Sequence, residues 1–116
     1  MVSPFDDLDL TQAQAYALQV ADLTELLGSV DLSLTTSLSQ LQSAADLPTL
    51  HRCLHDLKGY LGLVASVSLC ELSRQADQQA RLGQGAATQE SLGTLIPRLE
   101  RLQQGLQVYR AGIIGD

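Results

Sequence analysis

The apolar residues of this chain recur at steps of three and four, which is the spacing of one face of an α-helix. No stretch shows the strict apolar–polar alternation of a half-buried strand, so the pattern predicts helices alone. We predict five helical segments, over about 11–27, 29–45, 48–64, 66–80 and 88–109.

Glycine and proline mark several boundaries of these segments. Gly28 is expected to end the first helix, and Pro48 to lie in the first turn of the third. Gly83 and Gly85 flank the clearest loop, which separates the fourth segment from a last helix that begins at Thr88. Pro97 falls inside that last segment, where a proline kinks a helix or marks its restart.

Amphipathic helices joined by short connections predict an all-α fold. The expected architecture is an antiparallel up-and-down four-helix bundle, with or without a short additional N-terminal helix. Residues 1–10 are expected to form a lead-in and residues 11–116 a single bundle domain, because 116 residues suffice for one buried core.

Composition and charge narrow the class of protein. The net charge is −6 and residues 1–51 contain no Lys or Arg, which argues against nucleic-acid binding because that needs a basic surface. No apolar run reaches the ~18 residues of a membrane span, and the acidic N-terminus is unlike a signal peptide, so we expect a cytoplasmic protein without membrane contact. Cys53 and Cys70 match no metal-ligand spacing and are expected to be buried, reduced thiols.

The third segment has an apolar and a polar face. At about 100° per residue, the side opposite the leucines carries His51, His55, Lys58, Gly59 and Gly62. Lys58, the only lysine of the chain, follows His55 by three residues, so the two side chains lie on one helical face. The apolar side is expected to contain Leu50, Cys53, Leu54, Leu57, Leu61 and Val64.

This combination is suited to a histidine that carries a phosphoryl group. The neutral imidazole of His55 can attack phosphorus through a ring nitrogen, and Lys58 would oppose the negative charge of the transferred group. Gly59 and Gly62 would each cost about 0.5–1 kcal/mol relative to alanine inside a helix. We interpret both glycines as space for the phosphoryl group and for the protein that donates it.

The run His55-Asp56-Leu57-Lys58-Gly59 resembles the His-x-x-Lys-Gly motif of the histidine-containing phosphotransfer (HPt) domain family. The resemblance implies a four-helix bundle that accepts a phosphoryl group on His55 from a receiver-domain aspartate and passes it to another receiver. Lys58 would be the phosphate-side cation. The resemblance covers about residues 30–110, with further matches at Asp46–Leu54, Gly62, Ala65, Leu69, Leu72 and Ala76-Asp77.

The resemblance also implies partners and requirements. The partners would be response-regulator receiver domains and a hybrid sensor histidine kinase, and Mg²⁺ would be supplied by the receiver. Neither an intrinsic cofactor nor kinase or phosphatase activity of the chain's own is implied. The start at Met1 favours a free-standing protein over a module of a larger kinase, and an exposed active face on a small bundle favours a monomer.

Two neighbours of His55 leave alternatives open. His51, one turn earlier, is the competing phosphoacceptor, but the residue three positions later is Leu54 and not lysine. We therefore expect His51 to be a solvated flank or a contact that tunes His55. His51 and His55 have the i, i+4 spacing of some zinc ligands, but no third ligand is evident, so we predict no metal site. Arg52 is expected to be solvated or to add positive potential near the phosphate.

Two further groups concern the surface around the motif. Leu54, Tyr60 and Leu63 lie at the edges of the apolar stripe, so they either pack in or beside the core or form an apolar patch for receiver docking. The acidic residues Glu71, Asp77 and Glu100 are expected to be solvated surface.

One alternative function belongs to a different class of protein. The long uncharged Ser and Gln surfaces would also suit a non-catalytic helical adaptor that binds a partner without phosphate chemistry.

Overall fold

The computed structural model describes residues 3–17 and 19–114 of the 116-residue chain. Residues 1, 2, 18, 115 and 116, which the predicted lead-in and bundle domain include, lie outside the described residues, as do the side chains of Val20, Ile113 and Ile114. The described residues form five helices and contain no strand, only one isolated bridge between Leu8 and Ala65. The helices are α1 (Thr11–Tyr16), α2 (Val20–Ser43), α3 (Leu47–Leu61), α4 (Val67–Arg81) and α5 (Gly85–Ile114).

The four long helices pack as a closed bundle. Helix α3 contacts α2 and α4, and α5 contacts the same two helices from the other side. Connections of three to five residues join the long helices, so that successive helices run in opposite directions. The predicted all-α four-helix bundle is therefore confirmed, and α1 is its short additional N-terminal helix.

Leucines from every long helix form the core. Each fully buried leucine contributes about 1.5–3 kcal/mol to the free energy of folding. The largest fully buried leucines are Leu27, Leu34, Leu54, Leu57, Leu61, Leu69, Leu95, Leu99, Leu102 and Leu106.

The boundary between the first two helices differs from the prediction. Helix α1 ends at Tyr16, whereas α2 begins at Val20 and runs through Gly28 without interruption. Gly28 is a packing position and not a stop, because a Cβ there would lie 3.1 Å from Nη2 of Arg110. That arginine donates from Nη1 to Asp31 at 2.7 Å and so links α5 to α2.

Side-chain caps begin the two central helices. Asp46 accepts a hydrogen bond from the Thr49 amide at 2.8 Å, and Pro48 lies in the first turn of α3 as predicted. Ser66 accepts from the Leu69 amide at 3.2 Å and begins α4. Helix α3 ends at Leu61, so Val64, which the apolar stripe placed on this helix, lies in the following turn and is buried there.

The last helix is longer than predicted. It begins at Gly85, three residues before Thr88, shortly after the left-handed Gly83 at φ +75°. It continues past Pro97 as one helix, so the proline marks no restart. The missing amide of Pro97 leaves the carbonyl of Gly93 without its helical donor, and Gly93 is exposed, so that water can hydrogen-bond to this carbonyl.

The N-terminal segment is fastened to the bundle by an N-terminal anchor, which we define as Asp7, Ser66 and Arg98. Asp7 accepts hydrogen bonds from Nε and Nη2 of Arg98 at 3.0 and 2.7 Å and from Oγ of Ser66 at 2.8 Å. The bonds from Arg98 are the main reason why the pKa of Asp7 lies below its ordinary value. Nearby, the backbone of Pro4 crosses α5 so closely that a Cβ at Gly105 would clash with its carbonyl oxygen.

Candidate functional site

The middle of α3 presents the motif to solvent. His55, Lys58 and Gly59 are exposed, whereas Leu54 and Leu57 on the opposite side of the helix are fully buried. The burial of these leucines fixes the rotation of α3, because turning the helix would expose them to water. His55 is consequently held on the surface by the core packing beneath it.

The two glycines leave open surface beside His55. A Cβ built at Gly59 or Gly62 would meet no atom within 4 Å, so packing inside the described chain does not require glycine at either position. Gly62 is the C-cap residue of α3 with φ −62°, and therefore does not carry the cost of a glycine inside a helix that the sequence suggested. Gly59 lies within α3 and does carry that cost.

Asp77 of α4 lies under the motif, and its prediction as solvated surface is wrong. Its side chain is 8% exposed, and its Oδ2 accepts a hydrogen bond from Nζ of Lys58 at 2.9 Å. The available signal was helical spacing: Asp77 follows Leu69 by eight residues and Ser73 by four, and both of those residues are fully buried. Glu71 and Glu100 are exposed, as expected.

His51 approaches the same carboxylate from the other side. Its Nε2 lies 3.3 Å from Oδ1 of Asp77, and its ring centroid lies 6.2 Å from that of His55. His51, Lys58 and Asp77 thus form what we call the Asp77 cluster. Of the two roles considered for His51, contact with the site fits this position better than a solvated flank.

The residues predicted to support the site or to bind a partner differ in how far they are buried. Arg52 is exposed on α3. Leu54 has no exposed surface, so its assignment to an exposed docking patch is wrong and the core alternative holds. Tyr60 and Leu63 are half-buried, and the hydroxyls of Tyr60 and Ser37 are hydrogen-bonded at 2.7 Å. Burial is the main reason why the pKa of Tyr60 is raised.

An open groove between α2 and α3 is a feature that sequence reasoning missed. Leu32 of α2 is 73% exposed at this groove, although leucine usually packs inside a bundle. The signal was that Leu32 lies off the apolar stripe of Leu34 and Leu38. The groove is lined by Leu32, Thr36, Gln40, Asp56 and Tyr60.

Metal-ligating residues are dispersed. Among the described residues, no group of three His, Cys, Asp or Glu side chains is placed to hold a metal ion. Cys53 is buried and Cys70 half-buried, and both thiols are free, with pKa values raised mainly by burial. Neither cysteine has the depressed pKa of a reactive thiolate.

Comparison with known proteins identifies the family. A family model described as Hpt domain matches residues 10–108. The chain therefore belongs to the histidine phosphotransfer (HPt) domain family, whose members carry phosphoryl groups on histidine in two-component phosphorelays and interact with receiver domains and histidine kinases. No curated protein and no solved structure matches the chain. Within the described residues, no helix has the length and apolar character to cross a membrane.

Proposed function

We propose that His55 is the phosphoacceptor, taking a phosphoryl group from the aspartyl phosphate of one receiver domain and passing it to another. The observation that carries the proposal is an exposed imidazole on α3 with the only lysine of the chain one turn later on the same face. In the step, the lone pair of an unprotonated His55 ring nitrogen attacks phosphorus. The P–O bond to the aspartate breaks, the carboxylate leaves with that electron pair, and the other ring nitrogen keeps its proton or releases it to water.

Lys58 provides the cation for this transfer. The transferred group carries negative charge on its equatorial oxygens, which an adjacent ammonium stabilises in the transition state and in the product. An ammonium has three N–H donors, and Asp77 accepts one of them at 2.9 Å. In the unphosphorylated protein Asp77 restrains the otherwise flexible side chain of Lys58, and two donors of the ammonium remain for the first contact with phosphoryl oxygens.

The surface beside His55 accepts the partner. Gly59 and Gly62 leave room for the loops that surround a receiver aspartate. Tyr60 and Leu63 provide half-buried apolar contacts, and the groove at Leu32 extends this surface onto α2. Arg52 and His51 add donors or positive charge on the same helix. Mg²⁺ enters with the receiver, the donor receiver belongs to a hybrid sensor histidine kinase, and the chain acts as a monomer without kinase or phosphatase activity of its own.

Phosphotransfer from a phosphorylated receiver in the presence of Mg²⁺ tests the proposal. The chain should acquire an acid-labile, base-stable phosphate, and His55→Gln should remain folded yet acquire none. His51→Gln is the matched control, because it changes the only other histidine of the chain and should still be labelled. Labelling of His55→Gln would refute the assignment.

A second candidate function is a helical adaptor without phosphate chemistry. The exposed Leu32 favours it, because the other exposed residues of α2 between Leu32 and Ser43 are polar and uncharged, and an exposed apolar residue of this kind is typical of partner contacts. In that case His55→Gln would leave receiver binding and signalling output unchanged, whereas Leu32→Ser would weaken both. The phosphocarrier function predicts loss of output in His55→Gln.

A further inference from the structure

The two carboxylate oxygens of Asp77 differ in their hydrogen bonds. Oδ2 accepts the hydrogen bond from Lys58, whose side chain is 38% exposed. Oδ1 is buried and accepts no hydrogen bond from the described residues, although Nε2 of His51 lies only 3.3 Å away. The hydroxyl oxygen of Ser73, one turn earlier on α4, is also buried without a hydrogen-bond partner among the described residues.

This arrangement makes the carboxylate dependent on Lys58. A buried carboxylate is costly unless donors compensate for the lost water, and here, among the described residues, one ammonium provides the only hydrogen bond. Arg74 and Lys58 line a groove between α3 and α4, but the guanidinium of Arg74 is bound to Glu71. His51 is thus the second donor that the described residues place at Asp77.

We propose that His51 and Lys58 are alternating partners of Asp77, and that His51 thereby controls how freely Lys58 serves the phosphoryl group. In the unphosphorylated protein Lys58 holds Oδ2. When a phosphoryl group on His55 draws the ammonium toward itself, the Nε2–H of His51 turns onto Oδ1 and keeps the carboxylate hydrogen-bonded. His51 is then a positioning residue that acts through Lys58, and this role rests on the proposed function of His55.

The alternation is testable without phosphate, by a double-mutant cycle. We expect His51→Leu alone to change the unfolding equilibrium constant little, because Lys58 still holds Asp77. In a Lys58→Met background, His51→Leu should raise the unfolding equilibrium constant about tenfold more than it does in the wild-type background, because Asp77 then loses its remaining donor. Urea unfolding of the four proteins measures the difference.

Three further variants make the cycle specific. His51→Gln places an amide N–H near the position of Nε2, so it should abolish most of the extra loss. In an Asp77→Asn background, the effects of His51→Leu and Lys58→Met on the free energy of unfolding should be additive. Asp77→Asn should also restore folding if the variant that carries both His51→Leu and Lys58→Met does not fold. Gln75→Leu changes an exposed polar residue of α4; it is the matched control and should be additive with Lys58→Met. Additivity of His51→Leu with Lys58→Met would overturn the proposal.

The phosphorylated state provides the second measurement. Phosphoramidate can donate its phosphoryl group to a histidine with release of ammonia, so no receiver is required. Once His55 is labelled, His51→Leu should shorten the lifetime of phosphohistidine about threefold, because Asp77 then retains Lys58. His51→Gln should keep the wild-type lifetime. Equal lifetimes in wild type and His51→Leu would overturn the proposal.

The two measurements also separate this proposal from the proposed function of His55. If neither phosphoramidate nor a phosphorylated receiver labelled the wild-type protein, the phosphoacceptor role would be refuted. The coupling between His51 and Lys58 in the urea experiment would be unaffected by that result, because it is measured on the unphosphorylated protein.

Discussion

The N-terminal anchor and the Asp77 cluster each contain a largely buried aspartate beside a cation, yet they differ in how well the carboxylate is satisfied. Asp7 accepts three side-chain hydrogen bonds, two from Arg98 and one from Ser66. Asp77 accepts one from the described residues, and its donor is Lys58. A planar guanidinium that donates two parallel bonds is held in one geometry, whereas a single ammonium on a flexible stem can reorient. The first arrangement suits an anchor, and the second is compatible with the exchange of partners that we propose for Lys58.

The glycines of the two regions show the same contrast. Gly105 is buried below the N-terminal segment and has no room for a Cβ, because the carbonyl oxygen of Pro4 occupies that position. Gly59 beside His55 has nothing within 4 Å among the described residues. Packing therefore requires glycine beneath the N-terminal segment, whereas packing among the described residues does not require it at position 59.

Removing the cation of the anchor should have the largest effect. Arg98→Met leaves the largely buried Asp7 with Ser66 as its only side-chain donor among the described residues, so we expect the free energy of unfolding to fall by about 2–3 kcal/mol. Urea unfolding measures the loss. Adding Asp7→Asn should recover part of it, because an uncharged amide costs less to bury. The phosphotransfer rate of the folded variant should stay near wild type, and a large fall in that rate would show that the anchor also serves the site.

Alanine substitutions of the two glycines, Gly105 and Gly59, should change the free energy of unfolding in opposite directions. Gly105→Ala forces its new methyl group against the Pro4 carbonyl and should destabilise the protein by about 1–3 kcal/mol. Gly59→Ala removes a flexible residue from α3 without a clash and should stabilise it by about 0.5–1 kcal/mol. Thermal and urea unfolding measure both. Slower transfer from a receiver to Gly59→Ala, with phosphoramidate labelling unchanged, would identify the space as a docking requirement.

Removing the cation of the site should affect chemistry more than folding. Lys58→Met takes away the ammonium that opposes phosphoryl charge, so we expect transfer to His55 to slow about tenfold, or about 1.4 kcal/mol in the activation barrier. Single-turnover transfer from a phosphorylated receiver measures the rate. Arg74→Met removes another cation from the adjoining groove and is the control, with an expected change of less than about twofold. Equal slowing in both variants would indicate a general loss of positive charge instead of a role for Lys58.

The smallest effect expected is the acid sensitivity of the anchor. Because the pKa of Asp7 is lowered in the folded protein, its contribution to stability is complete above the ordinary carboxyl pKa near 4 and is lost as the pH falls through the lowered value. Asp7→Asn should therefore lose less stability than wild type between pH 5 and pH 2. Parallel slopes of stability against pH in the two proteins would mean that the anchor does not set this dependence.

Prediction from the sequence succeeded where all the residues that indicate an element lie within one helix. Helices α3 and α4 follow from apolar spacing, and the structure shows that Asp46 and Ser66 cap them. The break between α1 and α2 was missed because neither Ala17 nor Gln19 is a helix breaker. That break accompanies a tertiary contact, since the buried Ala13 of α1 donates its amide to the carbonyl of Leu63 at 3.2 Å.

The sequence by itself determined the helical class of this protein and the face of α3 that carries His55 and Lys58, because both depend on a period of 3.6 residues within one segment. Only the tertiary structure decided that Asp77 lies below that face, with Lys58 and His51 on either side. The physical reason is that these contacts join residues of different helices, 19 positions apart for Lys58 and Asp77, and the packing of α3 on α4 sets the distance between them. Helical spacing predicts which side chains share a face, and packing decides which faces meet.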